Sequence, residues 1–374
     1  MGIDGAWILT LNAGSSSLKF AAYELHSDRL IIAGQIAAIG PDARLIAGGN
    51  TAAVNAGDHA QAITAAMDWM TQNAGLSDAP AIASHRIVHG GDRNAPAEIT
   101  SEVLADIQSA AALAPLHNPP ALDVIGNLTA MYPDLRQVAC FDTAFHADNP
   151  AEATTIPLPK NLRDKGIRRY GFHGLSYASL VRRFSQETTA TLPRRVLALH
   201  LGAGASLAAI VNGKGVATTM GFSPMDGLVM ATRAGAMDVG VILHLMRTEG
   251  MDADALEHLL NRESGLRGLS GGNADMKSLL ESERPEDRFA IDHYIYWVCR
   301  HAGSMIATMQ GVDGLVFTGG VGENATTIRE RITANLSWAG EVPVWVIQAD
   351  EEGELASVAR AIGSAVLSES LSPK

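Results

Sequence analysis

Ile8-Leu-Thr-Leu-Asn-Ala-Gly-Ser-Ser-Ser-Leu-Lys-Phe-Ala-Ala-Tyr-Glu-Leu25 is the stretch on which the fold turns. Ile8 to Leu11 is a short apolar run that ends in a polar Gly/Ser turn, Asn12 to Ser17. Lys19 to Leu25 then resumes as a strand, so the segment reads as strand, phosphate-sized loop, strand. The same layout returns with an apolar run at Val196 to Leu199, a loop at His200 to Ser206 and a strand at Leu207 to Val211. The offset from Ile8 to Val196 is 188 residues, about half the chain, and it predicts a duplicated α/β domain.

Working outward, further strands are expected at 81–88, 137–141, 213–220, 315–317 and 342–347. Helical periodicity is expected over 58–74, 101–112, 173–186, 238–262, 286–310, 324–337 and 353–367. The 374 residues exceed what one hydrophobic core usually serves. The boundary is placed after Phe141-Asp-Thr143. This gives a first domain of residues 1–145, closed by the terminal helix 354–374, and a second of 146–353.

The composition is that of a globular chain, 47% hydrophobic and 18% charged. A net charge of −12 lacks the basic face of a nucleic-acid binder, so no nucleic-acid partner is expected. No apolar run reaches the ~18 residues of a membrane span, and the first residues lack a signal-peptide pattern, so no membrane partner is expected. Cys140 and Cys299 form no CxxC pair and read as buried free thiols, which fits a cytoplasmic location.

Three glycine-rich turns each follow a strand: Asn12 to Lys19, His200-Leu-Gly-Ala-Gly-Ala-Ser206, and Phe317-Thr-Gly-Gly-Val-Gly-Glu-Asn324. None has Walker A spacing. The third opens a helix, the context an anion or nucleoside needs. Arg86, Arg233 and His173 sit among glycines and small residues rather than on a charged helix face. Asp142 directly follows a strand, a typical functional position in an open α/β sheet, although a helix cap is the bland alternative.

These segments, with Ser84-His-Arg-Ile-Val-His-Gly-Gly91, Ala114-Pro-Leu-His-Asn-Pro-Pro120, Arg168-Arg-Tyr-Gly-Phe-His-Gly174 and Met220-Gly-Phe-Ser-Pro224, resemble the acetate kinase family. They run in family order from residue 12 to about 352. The resemblance implies a two-domain, duplicated ribonuclease H-like (actin-like ATPase) fold with a cleft between the domains. It implies reversible transfer of the ATP γ-phosphoryl group to acetate, giving acetyl phosphate and ADP by direct in-line displacement.

By the same resemblance, Mg²⁺, with Mn²⁺ as a substitute, is held by Asn12 and by Glu351, with Glu352 one residue away as the alternative. Arg86 and Arg233 hold the carboxylate and the transferring phosphoryl group, and His173 stabilises the transition state. Asp142 is the active-site aspartate, expected to orient a metal-bound water or an arginine. ATP is expected along Ser15, Ser17 and Lys19, along His200, Leu201, Gly202, Ala203 and Gly204, at Asp275, Met276 and Lys277, and on Gly320, Val321, Gly322, Glu323 and Asn324. Val88, Leu116, Phe172 and Pro224 form the acyl pocket. A homodimer joined through the second domain is implied.

The chemistry is coherent without the resemblance. A carboxylate is already ionised at pH 7, so the difficulty is one anion attacking another. Paired guanidinium groups, a histidine donor and a divalent cation answer it. Two departures bear on nucleotide preference: Ala203 stands where the family carries asparagine, and Lys277 where arginine is usual. Ala234 and Val239, near Arg233, are atypical as well. Alternatives are a propionate or other short-chain carboxylate kinase, a chaperone-like ATPase and a non-catalytic relative.

Overall fold

The computed structural model describes residues 6–370. The chain divides into two compact units: residues up to Ala144 together with those from Asp350 onward, and Phe145–Ala349.

The first unit is built on an eight-stranded sheet. Its strands are β1 (Trp7–Gly14), β2 (Ser17–Glu24), β3 (Leu30–Ala37), β4 (Arg44–Ala47), β5 (Asn50–Ala53), β6 (Ile82–Ile87), β7 (Ala97–Glu98) and β8 (Gln137–Phe141), in the order β5-β4-β3-β2-β1-β6-β8-β7. β1 to β3 form an antiparallel meander, and β6 and β8 add in parallel to β1. β1 is buried along nearly its whole length and β8 throughout, as expected of strands covered on both faces.

The second unit carries β9 (Arg195–Leu201), β10 (Ala205–Val211), β11 (Lys214–Thr218), β12 (Gly314–Thr318) and β13 (Val344–Val346), in the order β11-β10-β9-β12-β13. Its directions repeat the first unit: an antiparallel meander, then two strands parallel to the first. The run β3-β2-β1-β6-β8 thus recurs as β11-β10-β9-β12-β13, the duplicated α/β domain that the 188-residue offset predicts and the ribonuclease H-like arrangement that the resemblance implies.

Several elements differ from the sequence reading. Asn12 lies in β1, paired with Lys19, and the expected loop is a tight turn at Ser15-Ser16. His200 and Leu201 close β9, and Ser206 is in β10 opposite His200. The long helix expected over 238–262 breaks at Gly250 into Val239–Thr248, Ala253–His258 and a π-helical turn, Leu259–Glu263. The helix expected over 324–337 is two pieces, Gly319–Asn324 and Thr326–Asn335.

Asn118–Met131 is a helix where none is expected, and it carries Pro119 and Pro120 in its first turn. Proline is tolerated in a first helical turn, where its missing N–H has no partner to lose. The last helix begins at Glu351, ahead of the expected 353, with Asp350 Oδ1 accepting the Gly353 N–H at 2.9 Å. It packs on β1 and β6. Residues 350–353, expected in the second domain, therefore belong with the first unit.

Candidate functional site

The first unit's cluster follows from strand register. Arg86 pairs with Cys140 and Ile87 with Phe141 in the parallel β6–β8 ladder, and the Asp142 N–H bonds the Ile87 carbonyl at 2.9 Å. Arg86 and Asp142 therefore stand side by side at the carboxyl ends of neighbouring strands, where open α/β sheets place their ligands. Leu11 pairs with His85, which sets Asn12 beside Arg86.

The side chains meet accordingly. Arg86 donates Nη2–H to Asp142 Oδ2 at 2.6 Å and Nε–H to Asp142 Oδ1 at 3.1 Å, a two-pronged pair. Its Nη1 reaches Glu351 Oε2 at 3.2 Å and Asn12 Oδ1 at 3.3 Å. Asn12 Nδ2 donates to Glu351 Oε2 at 3.3 Å and Glu352 Oε1 at 3.5 Å. Lys19, exposed, lies 4.0 Å from Glu352. Burial opposes the charge on Arg86, but Asp142 and Glu351 outweigh it and hold the guanidinium firmly protonated. Asp142, expected to orient a metal-bound water or an arginine, grips an arginine.

Three carboxylates thus crowd one guanidinium. Among the described residues no group of three or more His, Cys, Asp or Glu side chains forms a metal cage. A hard cation that takes few protein oxygens and shares the rest with phosphate and water fits this donor set of one amide oxygen and the two glutamates.

In the second unit, His173 precedes helix Gly174–Thr188 with φ 59° and ψ 23°, a left-handed conformation that is costly for a residue with a Cβ. Its Nδ1 lies 2.9 Å from Ser206 Oγ, and its ring stacks on His200 at 4.2 Å between centroids. His146, fully buried, donates Nε2–H to the Phe172 carbonyl at 3.0 Å. Burial pushes its pKa down to about 4, so it does this as a neutral ring.

Arg233 donates Nη1–H to the Pro224 carbonyl at 3.2 Å. Its loop is tied to the turn after β9 by the Ala231 N–H bonding the Ala203 carbonyl at 3.1 Å. A Cβ on Gly204 would sit 3.2 Å from His173 Nε2 and 3.8 Å from Arg233 Nη1, so both donors flank that turn.

A cavity of about 800 Å³ adjoins the same turn. Of the expected nucleotide residues it collects Gly202, Ala203, Asp275, Met276, Lys277, Gly320, Val321 and Asn324. Leu266, Ala231, Leu280 and Ala325 also line it. As plain apolar residues outside any glycine motif, they carry no signal in sequence. Gly319 lets the wall close. Its φ is +78°, and a Cβ there would fall 2.8 Å from the Leu201 carbonyl oxygen.

Other expected contacts fall elsewhere. Leu201 is fully buried in β9, and His200 Nδ1 is engaged by Ser176 Oγ at 2.8 Å. Gly204 and Gly322 do not line the cavity. Glu323 turns inward, where Oε1 accepts the N–H groups of Gly319 at 2.9 Å and Ala349 at 2.8 Å. Asp275, although it lines the cavity, caps helix Met276–Glu281, and the Ser278 N–H and hydroxyl it accepts hold its carboxyl below the usual range. Ser15, Ser17 and Lys19 belong to the β1–β2 hairpin of the first unit. Val88 is buried just past β6 and Leu116 lies half-buried in a turn, both in the first unit. Phe172 and Pro224 lie in the second, beside His173 and Arg233 respectively.

The acetokinase family model matches residues 7–370. An acetate kinase of Rhodopseudomonas palustris (strain TIE-1) is 42% identical over 346 residues, spanning 89% of this chain and 87% of that protein. Among solved structures, a propionate kinase from Francisella tularensis subsp. tularensis SCHU S4 matches with a TM-score of 0.90 at 30% identity, covering 95% of this chain and 99% of that one. Porphyromonas gingivalis acetate kinase matches with a TM-score of 0.87 at 32% identity, covering 96% and 100%.

Proposed function

The chain belongs to the acetokinase family, and we propose that it transfers the γ-phosphoryl group of ATP to acetate, reversibly, giving acetyl phosphate and ADP. One observation carries this reading. In a single unit, His173 Nε2 and Arg233 Nη1 flank the Gly202–Gly204 turn, which also borders the 800 Å³ cavity. A nucleotide in that cavity, with its phosphates at the turn, presents its terminal phosphate to two hydrogen-bond donors.

The residue roles follow from charge. The acetate oxygen is the nucleophile and needs no base, because a carboxylate is ionised at neutral pH. Arg86 binds the acid, and Asp142 keeps its fork aimed. His173 and Arg233 donate to the phosphoryl oxygens, whose charge spreads in a loose in-line transition state. Asn12, Glu351 and Glu352 would hold Mg²⁺. When bound, it supplies charge neutralisation of the phosphate oxygens. Val88, Leu116, Phe172 and Pro224 are the proposed walls for the methyl group.

Propionate is the second reading, favoured by the Francisella propionate kinase match. One methylene in an apolar pocket changes discrimination by only ~1–3 kcal/mol. The test is acyl hydroxamate formation with ATP, Mg²⁺ and hydroxylamine, using acetate, propionate and butyrate in turn. Acetate is expected to give the highest kcat/KM. Product with none of the acids overturns the kinase reading, and a higher kcat/KM with propionate replaces acetate as the substrate.

A homodimer through the second unit belongs to the same proposal. Helix Val239–Thr248 has no buried residue, although its sequence is Val-Gly-Val-Ile-Leu-His-Leu-Met-Arg-Thr. Val239 is 73% exposed, with Val241, Leu243 and Met246 also exposed, and Tyr296 on helix Pro285–Thr308 is 62% exposed. A second copy would cover such apolar surface. Sedimentation velocity should give twice the chain mass, and a monomer at micromolar concentration would refute it. Cytoplasmic residence completes the proposal, supported by the free thiols of Cys140 and Cys299.

A further inference from the structure

Behind His173 lies a chain of hydroxyls. Ser206 Oγ is 2.9 Å from His173 Nδ1 and 2.6 Å from Tyr177 Oη. Ser206 and Tyr177 are both fully buried, so neither hydroxyl exchanges its partner for water. Tyr177 stands one helical turn after His173, with its N–H bonded to the His173 carbonyl at 3.1 Å. Ser206 is on β10, directly opposite His200. The serine is therefore held between a helix and a strand, with one neighbour on each side.

Two continuous proton arrangements run along this chain, one in each direction; a third, with Ser206 accepting from both neighbours, leaves the serine proton with neither partner. In one, Tyr177 Oη–H donates to Ser206, Ser206 Oγ–H donates to His173 Nδ1, and the imidazole proton sits on Nε2. In the other, His173 Nδ1–H donates to Ser206 and Ser206 donates to Tyr177, which leaves the phenolic proton buried with no acceptor. Leaving a buried donor unsatisfied is costly, enough to disfavour the second arrangement by about 10- to 100-fold. Burial pushes the Tyr177 phenol up, which keeps it a proton donor.

We infer that Ser206 and Tyr177 are positioning residues that set the tautomer of His173, holding its proton on Nε2. That nitrogen faces the Gly204 turn alongside Arg233 Nη1. Fixed in this way, His173 presents an N–H, not a lone pair, to an incoming anion. A lone pair there would repel a phosphoryl oxygen. The catalytic consequence rests on the proposed phosphoryl transfer, whereas the tautomer assignment does not.

Long-range ¹H–¹⁵N correlation spectra of the full chain, taken at pH 8 without nucleotide or acid, read the tautomer. The His173 signal is identified by its loss in His173→Gln. The wild type is expected to show the Nε2–H pattern. Tyr177→Phe keeps the ring and removes the hydroxyl, and Ser206→Ala breaks the chain at its middle. In either variant the Nδ1–H form is expected to rise from below about a tenth to about a third or more. Turnover in acid-dependent transfer should fall roughly 10-fold with the ATP KM within about twofold, as for a group that acts only in the transition state.

A wild-type His173 protonated on Nδ1 overturns the inference, and this needs no variant to fold. An unchanged tautomer in both variants overturns it too. Should one variant fail to fold, the other decides. An Nε2–H wild type in a chain that transfers phosphate to no acid would sink the kinase reading and leave the relay standing.

Discussion

Replacing Arg86 with glutamine removes the cation that Asp142 grips through two hydrogen bonds. Asp142 is 1% exposed, so water cannot take over. A buried carboxylate that loses its partner costs about 3–5 kcal/mol. Proton uptake sets a ceiling on part of that cost. Neutralising an aspartate of ordinary pKa ~3.9 at pH 7 costs about 1.36 × 3.1, or ~4 kcal/mol, and at pH 5 only ~1.5 kcal/mol. Arg86→Gln should therefore destabilise the first unit by about 4 kcal/mol at pH 7 and by roughly 2 kcal/mol less at pH 5. Urea unfolding at the two pH values, followed by a first-unit probe such as Trp69, reads both numbers. The paired variant Arg86→Leu/Asp142→Leu should recover much of the loss while remaining inactive. A penalty below about 1 kcal/mol at pH 7, or one that does not shrink at pH 5, would refute the claim that Asp142 depends on Arg86 for its charge.

Gly265 has φ +65°, and a Cβ there would fall 2.2 Å from the Met230 carbonyl oxygen and 2.6 Å from that of Arg233. Gly265→Ala should displace the Arg233 loop, lowering kcat at least 10-fold and stability by ~1–3 kcal/mol, and unchanged kinetics would show the loop is not set from behind. Burial lowers the pKa values of His85 and His146 from 6.5 to about 4. The unfolded chain then binds more protons between those values, so stability is greatest above pH 6.5 and falls as pH drops toward 4. The loss is about 2 kcal/mol per histidine between pH 7 and pH 5, one in each unit. Thermal melts across this range should show it, and His85→Gln should flatten the first unit's share. Ala203 is exposed at the cavity wall. Ala203→Asn should lower the ATP KM roughly fivefold, the worth of about one hydrogen bond, and an unchanged KM would mean the amide finds no phosphate.

What was legible in the sequence was the repeat. Asn12 and His200 stand 188 residues apart, as do Ile8 and Val196, and each pair occupies equivalent places near the ends of β1 and β9. The alternation of buried strand and glycine turn carries that signal locally. Arg86 and Asp142 were recognisable as strand-end residues, and the register of parallel strands brings Asn12, expected in a loop, beside them.

The less visible parts depend on contacts distant in sequence. Tyr177 reads as an ordinary apolar helix position, and only its meeting with Ser206, 29 residues away, gives its hydroxyl a purpose. The resemblance implied nucleotide contacts at Glu323 and Asp275; Asp275 lines the cavity and Glu323 does not. Backbone N–H groups at helix starts claim both carboxylates, a demand that a motif does not display. Helix Asn118–Met131 was hidden by prolines that a first helical turn accommodates.

The central claim is that the γ-phosphoryl group passes to a carboxylate rather than to water. Phosphorus NMR of the chain with ATP, Mg²⁺ and acetate tests it most directly. A resonance of acetyl phosphate should grow with ADP and vanish in Arg233→Ala, and the reverse reaction should rebuild ATP from acetyl phosphate and ADP. Conversion of ATP to inorganic phosphate alone, at a rate indifferent to acetate, would contradict the account and make the protein a nucleotide hydrolase.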